Sequence, residues 1–258
     1  MVSFPSVIVG GSVGTEGRTL VTDFIAFMAM RAGAEFSAFS ADDPEAKDQW
    51  VPSALSRFLG EEVVDLADGW GQSRAEAPYF KAVGPSALDR PFLLDLSPAC
   101  NDAFFQAIEQ GYFDAMPGEV FFVHVMNRRP DSLDGARILL QSAERKRLLG
   151  RIGAKEILVF NEMSGQMEIG EVGIPVVLME NLEFECWSEL RKSHASINDL
   201  MMMEPRHYMD FLIDWVRKLN MEQAVEASAL VRAWAGRTWL SFARAGLQGA
   251  GTRQAVSA

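Results

Sequence analysis

Apolar positions along this chain gather into short runs, and between the runs they recur at helical spacing. The first run ends at Val9 and gives way to Gly10-Gly11-Ser12-Val13-Gly14-Thr15-Glu16-Gly17. Leu20, Phe24, Phe27 and Met28 then mark one face of a helix predicted over 20–30, with Gly33 as its stop. A second strand is expected over 35–41, ended by Asp42-Asp43-Pro44. Further short apolar runs at 91–95, 119–126, 157–160 and 175–179 read as buried parallel strands. Residues 131–149 read as a helix whose basic residues gather toward its end, where they complement the helix dipole. Residues 50–91 carry several Pro and Gly and show no clear period.

Strands alternating with helices predict an α/β fold, a doubly wound and mostly parallel sheet with helices on both faces. The last third changes character. Tyr208, Phe211, Leu212, Trp215, Val216 and Leu219 form a helical stripe. A second helix, expected over 221–245, carries Leu230, Trp234, Trp239 and Phe242. These extra C-terminal helices either pack on the sheet or supply a partner or dimer surface. The chain's 258 residues suit one α/β domain over 1–245, followed by a disordered tail over 246–258.

Candidate chemistry concentrates in the glycine loop between the first strand and the first helix. Such a loop holds phosphate because backbone N–H groups and a helix N-terminus converge on the anion. A Lys and a Ser/Thr then add charge and a magnesium ligand. Here Gly17-Arg18-Thr19 stands where Gly-Lys-Ser/Thr is expected, and Ser12 stands where the pattern asks for Gly. Taken by itself the segment reads equally as a glycine-rich strand–helix turn with no ligand.

The order of the surrounding segments gives it context. The loop resembles that of the ParA/MinD family of P-loop NTPases, which runs roughly Gly-Lys-Gly-Gly-Val-Gly-Lys-Thr-Thr. Asp42-Asp43-Pro44 is similar to the family's Asp-x-Asp-Pro, and Leu93-Leu94-Asp95-Leu96-Ser97-Pro98 to its Walker B strand. Pro130-Asp131-Ser132-Leu133-Asp134-Gly135 resembles the Pro-Asp turn and following helix, and Phe160-Asn161-Glu162 the strand end that reads adenine. The similarity spans roughly residues 5–185. The wording of Asn161-Glu162-Met163-Ser164-Gly165 resembles members encoded in conjugal-transfer operons more than chromosome-partition members.

The resemblance implies ATP or ADP at Gly14, Thr15, Glu16, Gly17, Arg18, Thr19, Leu20 and Asn161. It implies Mg²⁺ held by Thr19 and Asp95, and Asp43 orienting the attacking water. Two departures matter. Val13 replaces the signature lysine that reaches the facing subunit's nucleotide, and Arg18 replaces the general P-loop lysine. Arginine is bulkier and forks its charge, so it does not substitute for a point charge in a tight loop. Phosphoryl transfer rests on such charge, so hydrolysis is expected to be weak or lost. Arg128 and Arg129 are candidate replacement donors, with a solvated turn as their plain reading. The function implied is a dimerising switch for plasmid, DNA or cargo partition, positioning or transfer. The alternative is a non-enzymatic pseudo-ATPase scaffold that binds protein partners.

Charge and the remaining side chains narrow this further. A net charge of −11 and a pI near 4.8 oppose DNA binding by the whole surface, leaving a local patch or an indirect route. A homodimer and a protein partner are the expected assemblies. Cys100 and Cys186, without CxxC spacing, read as reduced, packed thiols. His124, His194 and His207 show no metal-ligand spacing, and His124, inside an apolar strand, reads as a hydrogen-bonded core residue. The glycines do not match Gly-x-Gly-x-x-Gly, which ranks a dinucleotide enzyme low. The first residues lack a signal-peptide pattern, and no run nears the roughly 18 apolar residues of a membrane span, so a cytoplasmic location is expected.

Overall fold

The computed structural model describes residues 4–12, 17–41, 90–114, 116, 118–163, 173–181, 197–211 and 219–247. Val13, Gly14, Thr15 and Glu16 of the loop, Asp43 with its Asp-Pro turn, Cys186, His194, Leu212, Trp215 and Val216 lie outside the described residues. So do nearly all of the stretch 50–91 and the tail from 248 onward.

Six strands form one sheet: β1 Ser6–Gly11, β2 Ser37–Ala41, β3 Phe92–Leu96, β4 Val120–Met126, β5 Ala154–Met163 and β6 Val176–Glu180. Their order is β2-β3-β1-β4-β5-β6, and every pairing is parallel. The expected α/β sheet, with helices on both faces, is what the chain forms. Strands β1, β3 and β4 are buried along their whole length, as strands covered on both faces must be.

One face is covered by α1 Arg18–Arg31 and by helices from the C-terminal third. These are α5 Ile197–Met202, α6 Pro205–Phe211 and α7 Met221–Arg244. The other face is covered by α2 Asn101–Glu109 and α4 Ala143–Arg151, with α3 Pro130–Gln141 beside them. Helix α2 was not anticipated, although Phe104, Phe105 and Ile108 carry its spacing and are all buried. The helix expected over 131–149 is two helices. Ser142 leaves helical geometry at ψ 109°, and its side chain accepts the Arg145 N–H at 3.3 Å, which starts a new helix.

Helix α1 is buried from Val21 through Ala29, because it lies between the sheet and the C-terminal helices. It ends at Gly33, where the Gly33 N–H reaches Met30 O and the Ala34 N–H reaches Ala29 O, closing the last turn with a left-handed glycine. The C-terminal helices do pack on the sheet side. Trp234 and Phe242 of α7 lie 5.4 and 5.9 Å from the Phe24 ring, and Trp239 lies 5.8 Å from Phe27. Helix α7 opens with a capping box between Asn220 and Gln223 and also covers the β6 edge, where Ser241 accepts the Leu178 N–H. Among the described residues, no helix is long and apolar enough to cross a membrane.

Asp23 is the one acidic residue of α1 that this packing buries. Its Oδ2 accepts the Ile197 N–H at 2.9 Å, while Oδ1 has no hydrogen bond among the described residues. Burial pushes its carboxyl from 3.8 up to about 7, with Asp199 adding to the rise and the Ile197 N–H opposing it. The folded chain therefore keeps a proton that the unfolded chain releases near pH 4. Stability should fall as pH rises from about 4 to 7, by up to about 4 kcal/mol from this group, and level off above. Urea unfolding of Asp23→Asn beside the wild type isolates the effect. The variant should be the more stable at pH 8 and lose that advantage by pH 5. Parallel pH profiles would remove the assignment.

Candidate functional site

The strand order places one opening at the carboxyl end of β1. The connection after β1 leaves toward the α1 face, whereas those after its neighbours β3 and β4 leave toward the other face. Loops diverging in this way open a crevice at the strand ends, where open α/β sheets take their ligands. The glycine loop leaves β1 at this point, as the sequence predicts.

Its described ends are firmly held. Asn101, buried at the start of α2, donates from Nδ2 to the Gly11 carbonyl at 2.9 Å. Ser12 donates to the Ser132 carbonyl at 3.3 Å and packs so closely on Gly135 that a Cβ there would overlap it. Ser132 in turn accepts the Asn127 N–H at 3.0 Å, tying the end of β4 to α3. Sequence reasoning found the turn at 130–135 but not its service as a seat for Ser12. The small residues at 132 and 135 are the signal, legible only once β1 and β4 are known to be neighbours.

At the far end of the loop Gly17 has φ +80°, the left-handed region that favours glycine. A Cβ added to it would overlap the Asn161 amide nitrogen. Asn161 is 1% exposed and sits where β5 shifts register against β6, between Phe160 and Met163. Such irregularities re-aim side chains at the ends of strands. The Asn161 amide thus lies against the start of α1. The N-cap of α1 is Gly17, which has no side chain to cap it, and Val21 N–H is bonded to Gly17 O at 3.1 Å. The backbone donors ahead of Val21 are those that a helix N-terminus directs at an anion.

The structure brings Arg18, Thr19 and Asp95 together. Asp95 is 2% exposed on β3, in register with Val9 of β1. Arg18 Nε donates to its Oδ1, and Thr19 Oγ1 donates to its Oδ2 at 3.3 Å. The Arg18 side chain is only 11% exposed, so this is a largely desolvated ion pair. Thr19 and Asp95, the two residues that the resemblance assigns to Mg²⁺, are indeed neighbours. In this arrangement Asp95 accepts from both residues, and the Arg18 guanidinium beside it opposes the approach of a dication. Among the described residues no group of three His, Cys, Asp or Glu side chains is placed to hold a metal ion.

The candidate donors beyond β4 are placed differently. Arg129 pairs with Asp131 at 2.8 Å on the surface, and this guanidinium holds the Asp131 carboxyl below its usual range. Arg128 is exposed. His124 is 4% exposed and belongs to the core, but neither ring nitrogen has a hydrogen bond among the described residues, contrary to expectation. Its Nε2 stands 3.6 Å from Glu156 Oε2, one strand over, and the other side of its ring meets Phe122 at 4.7 Å. Cys100 is buried, with Ser97 donating to its sulfur at 3.8 Å. No protein-family model and no curated protein matches this chain.

Proposed function

We propose that this chain is a ParA/MinD-like nucleotide-binding switch that holds ATP or ADP at the β1–α1 loop with hydrolysis weak or lost. The observation that carries the reading is the engagement of Asp95 by Arg18 and Thr19 beside a glycine loop at the strand-order switch point. Backbone N–H groups from Gly14 to Leu20 would receive the phosphates, and Asn161, at the end of β5, would bound the base. Asp43 keeps its proposed role beside the attacking water. Chemistry is slow on this reading because Arg18, the first residue of α1, is committed to Asp95. Charge spent on a ground-state carboxylate does not stabilise the transition state.

Assembly follows from the same reading. A homodimer that responds to nucleotide would act on a protein partner, and on plasmid or other DNA indirectly or through a local patch, in the cytoplasm. Partition, positioning and conjugal transfer are the processes the resemblance suggests. The second reading, a scaffold whose loop is vestigial, draws on the same ion pair, since Arg18 closes the metal side of the loop.

Equilibrium binding of labelled ATP and ADP to the purified chain separates the two. The switch reading expects saturable binding, competed by unlabelled nucleotide and weakened about tenfold or more by Gly14→Asp, which sets a carboxylate against the phosphates. A folded wild-type chain that binds no nucleotide at millimolar concentration would leave the scaffold reading in its place.

A further inference from the structure

We propose that the outward face of α7 is a self-association surface, on which a second copy of this chain packs antiparallel about a twofold axis beside Ala233. The contact does not depend on the nucleotide reading. Helix α7 buries Ala227, Val231, Trp234, Thr238 and Phe242 on one side. At about 3.6 residues per turn, its opposite side carries Val225, Ala229, Ala233, Gly236 and Leu240, all exposed. Val225 is 49% and Leu240 37% exposed, large apolar groups left in water on a helix whose inner face is fully packed. Gly236 is a separate sign. A glycine inside a helix costs about 1 kcal/mol against alanine, yet a Cβ added there would meet nothing within 4 Å. No contact among the described residues asks for glycine at this place, whereas the close approach of another backbone does.

The order of side chains along this face fits a second copy of itself. Larger apolar groups stand toward its two ends and small ones in the middle, with the acid Glu222 in the first turn of the helix and the base Arg244 in the last. About an axis between Arg232 and Ala233, an antiparallel copy sets Val225 against the partner's Leu240 and Ala229 against the partner's Gly236. Glu222 then meets the partner's Arg244, and the twofold repeats every contact. A parallel pair would instead set Glu222 against Glu222 and Arg244 against Arg244. The helix dipoles also lie head to tail only in the antiparallel pair. Small residues at the centre let the two axes come within about 8 Å. Two neighbouring arginines are engaged within their own chain and take no part across the axis. Arg237 pairs with Glu180 at 2.7 Å, and Arg232 donates to the Met203 carbonyl at 3.1 Å.

A single helix pair is a small interface, so a dissociation constant on the order of 10 µM is expected. Sedimentation equilibrium of the full chain, without nucleotide, reads it. The wild type should pass from monomer toward dimer between about 1 and 200 µM. Gly236→Leu enters open space on its own chain and suits a helix, so its urea midpoint should not fall, while the dimer should weaken about tenfold or more. Glu222→Arg and Arg244→Glu should each weaken the dimer severalfold, and the two together in one chain should restore it. A wild type that stays monomeric at about 200 µM overturns a second copy as the occupant of this face. A dimer that Gly236→Leu leaves unchanged overturns the face itself. A charge-swapped double variant that associates no better than either single one overturns the antiparallel register.

Discussion

Trp234→Ala should lower the unfolding free energy by about 3–5 kcal/mol, the cost of emptying a large aromatic site in a packed core. Trp234 is 1% exposed and meets the Phe24 ring edge-on at 5.4 Å. Its Nε1–H donates to the Glu180 carbonyl at 2.8 Å, at the end of edge strand β6. One side chain therefore joins α7, α1 and the sheet edge. Trp234→Phe keeps most of the apolar contact and gives up that bond, and the carbonyl it leaves belongs to an exposed residue that water can reach. Its cost should be about 1–2 kcal/mol. Urea midpoints at constant m-value read both. A loss below about 1 kcal/mol for Ala would mean that α7 does not seal the core as described.

Gly17→Ala should cost about 2–4 kcal/mol, and Gly33→Ala only about 1–2. Both glycines have positive φ, +80° and +68°, so both substitutions pay the left-handed penalty. Only at Gly17 does the new methyl meet a neighbour, the Asn161 amide; at Gly33 nothing lies within 4 Å. The difference between the two midpoints measures the clash, and Gly17→Ala combined with Asn161→Ala should recover part of it. Equal costs would show that Asn161 yields freely and does not define the loop's end.

Much of the fold was legible because its signals are local. The strands at 92–96 and 120–126 are short runs of Val, Leu, Phe and Met, buried on both faces, with Asp95 and His124 as their polar positions. Helix α1 announced both its spacing and its glycine stop. The break at Ser142 was missed because apolar spacing continues through it, and what marks the interruption is the extended Ser142 backbone and the Arg145 N–H donated to its side chain. Helix α2 was missed because its nine residues follow a short 3₁₀ turn with no strong cap. The candidate site was legible in its members and not in its wiring. Thr19 and Asp95 could be paired through the resemblance, yet nothing local says that Arg18 turns to Asp95, 77 residues away. That contact exists because β3 lies directly beside β1, an adjacency that strand order decides. His124 taught the converse lesson. Its burial followed from the apolar strand, whereas its missing hydrogen bond depends on where Glu156 falls on the next strand.

The most direct measurement of the central claim is the fate of γ-³²P-labelled ATP mixed with an excess of the wild-type chain and quenched over hours. The account predicts that label is retained on the protein and recovered as intact ATP, because the loop binds phosphate while Arg18 stays on Asp95. Prompt release of labelled phosphate, abolished by Asp43→Ala, would contradict it and require that Arg18 reach the γ-phosphate.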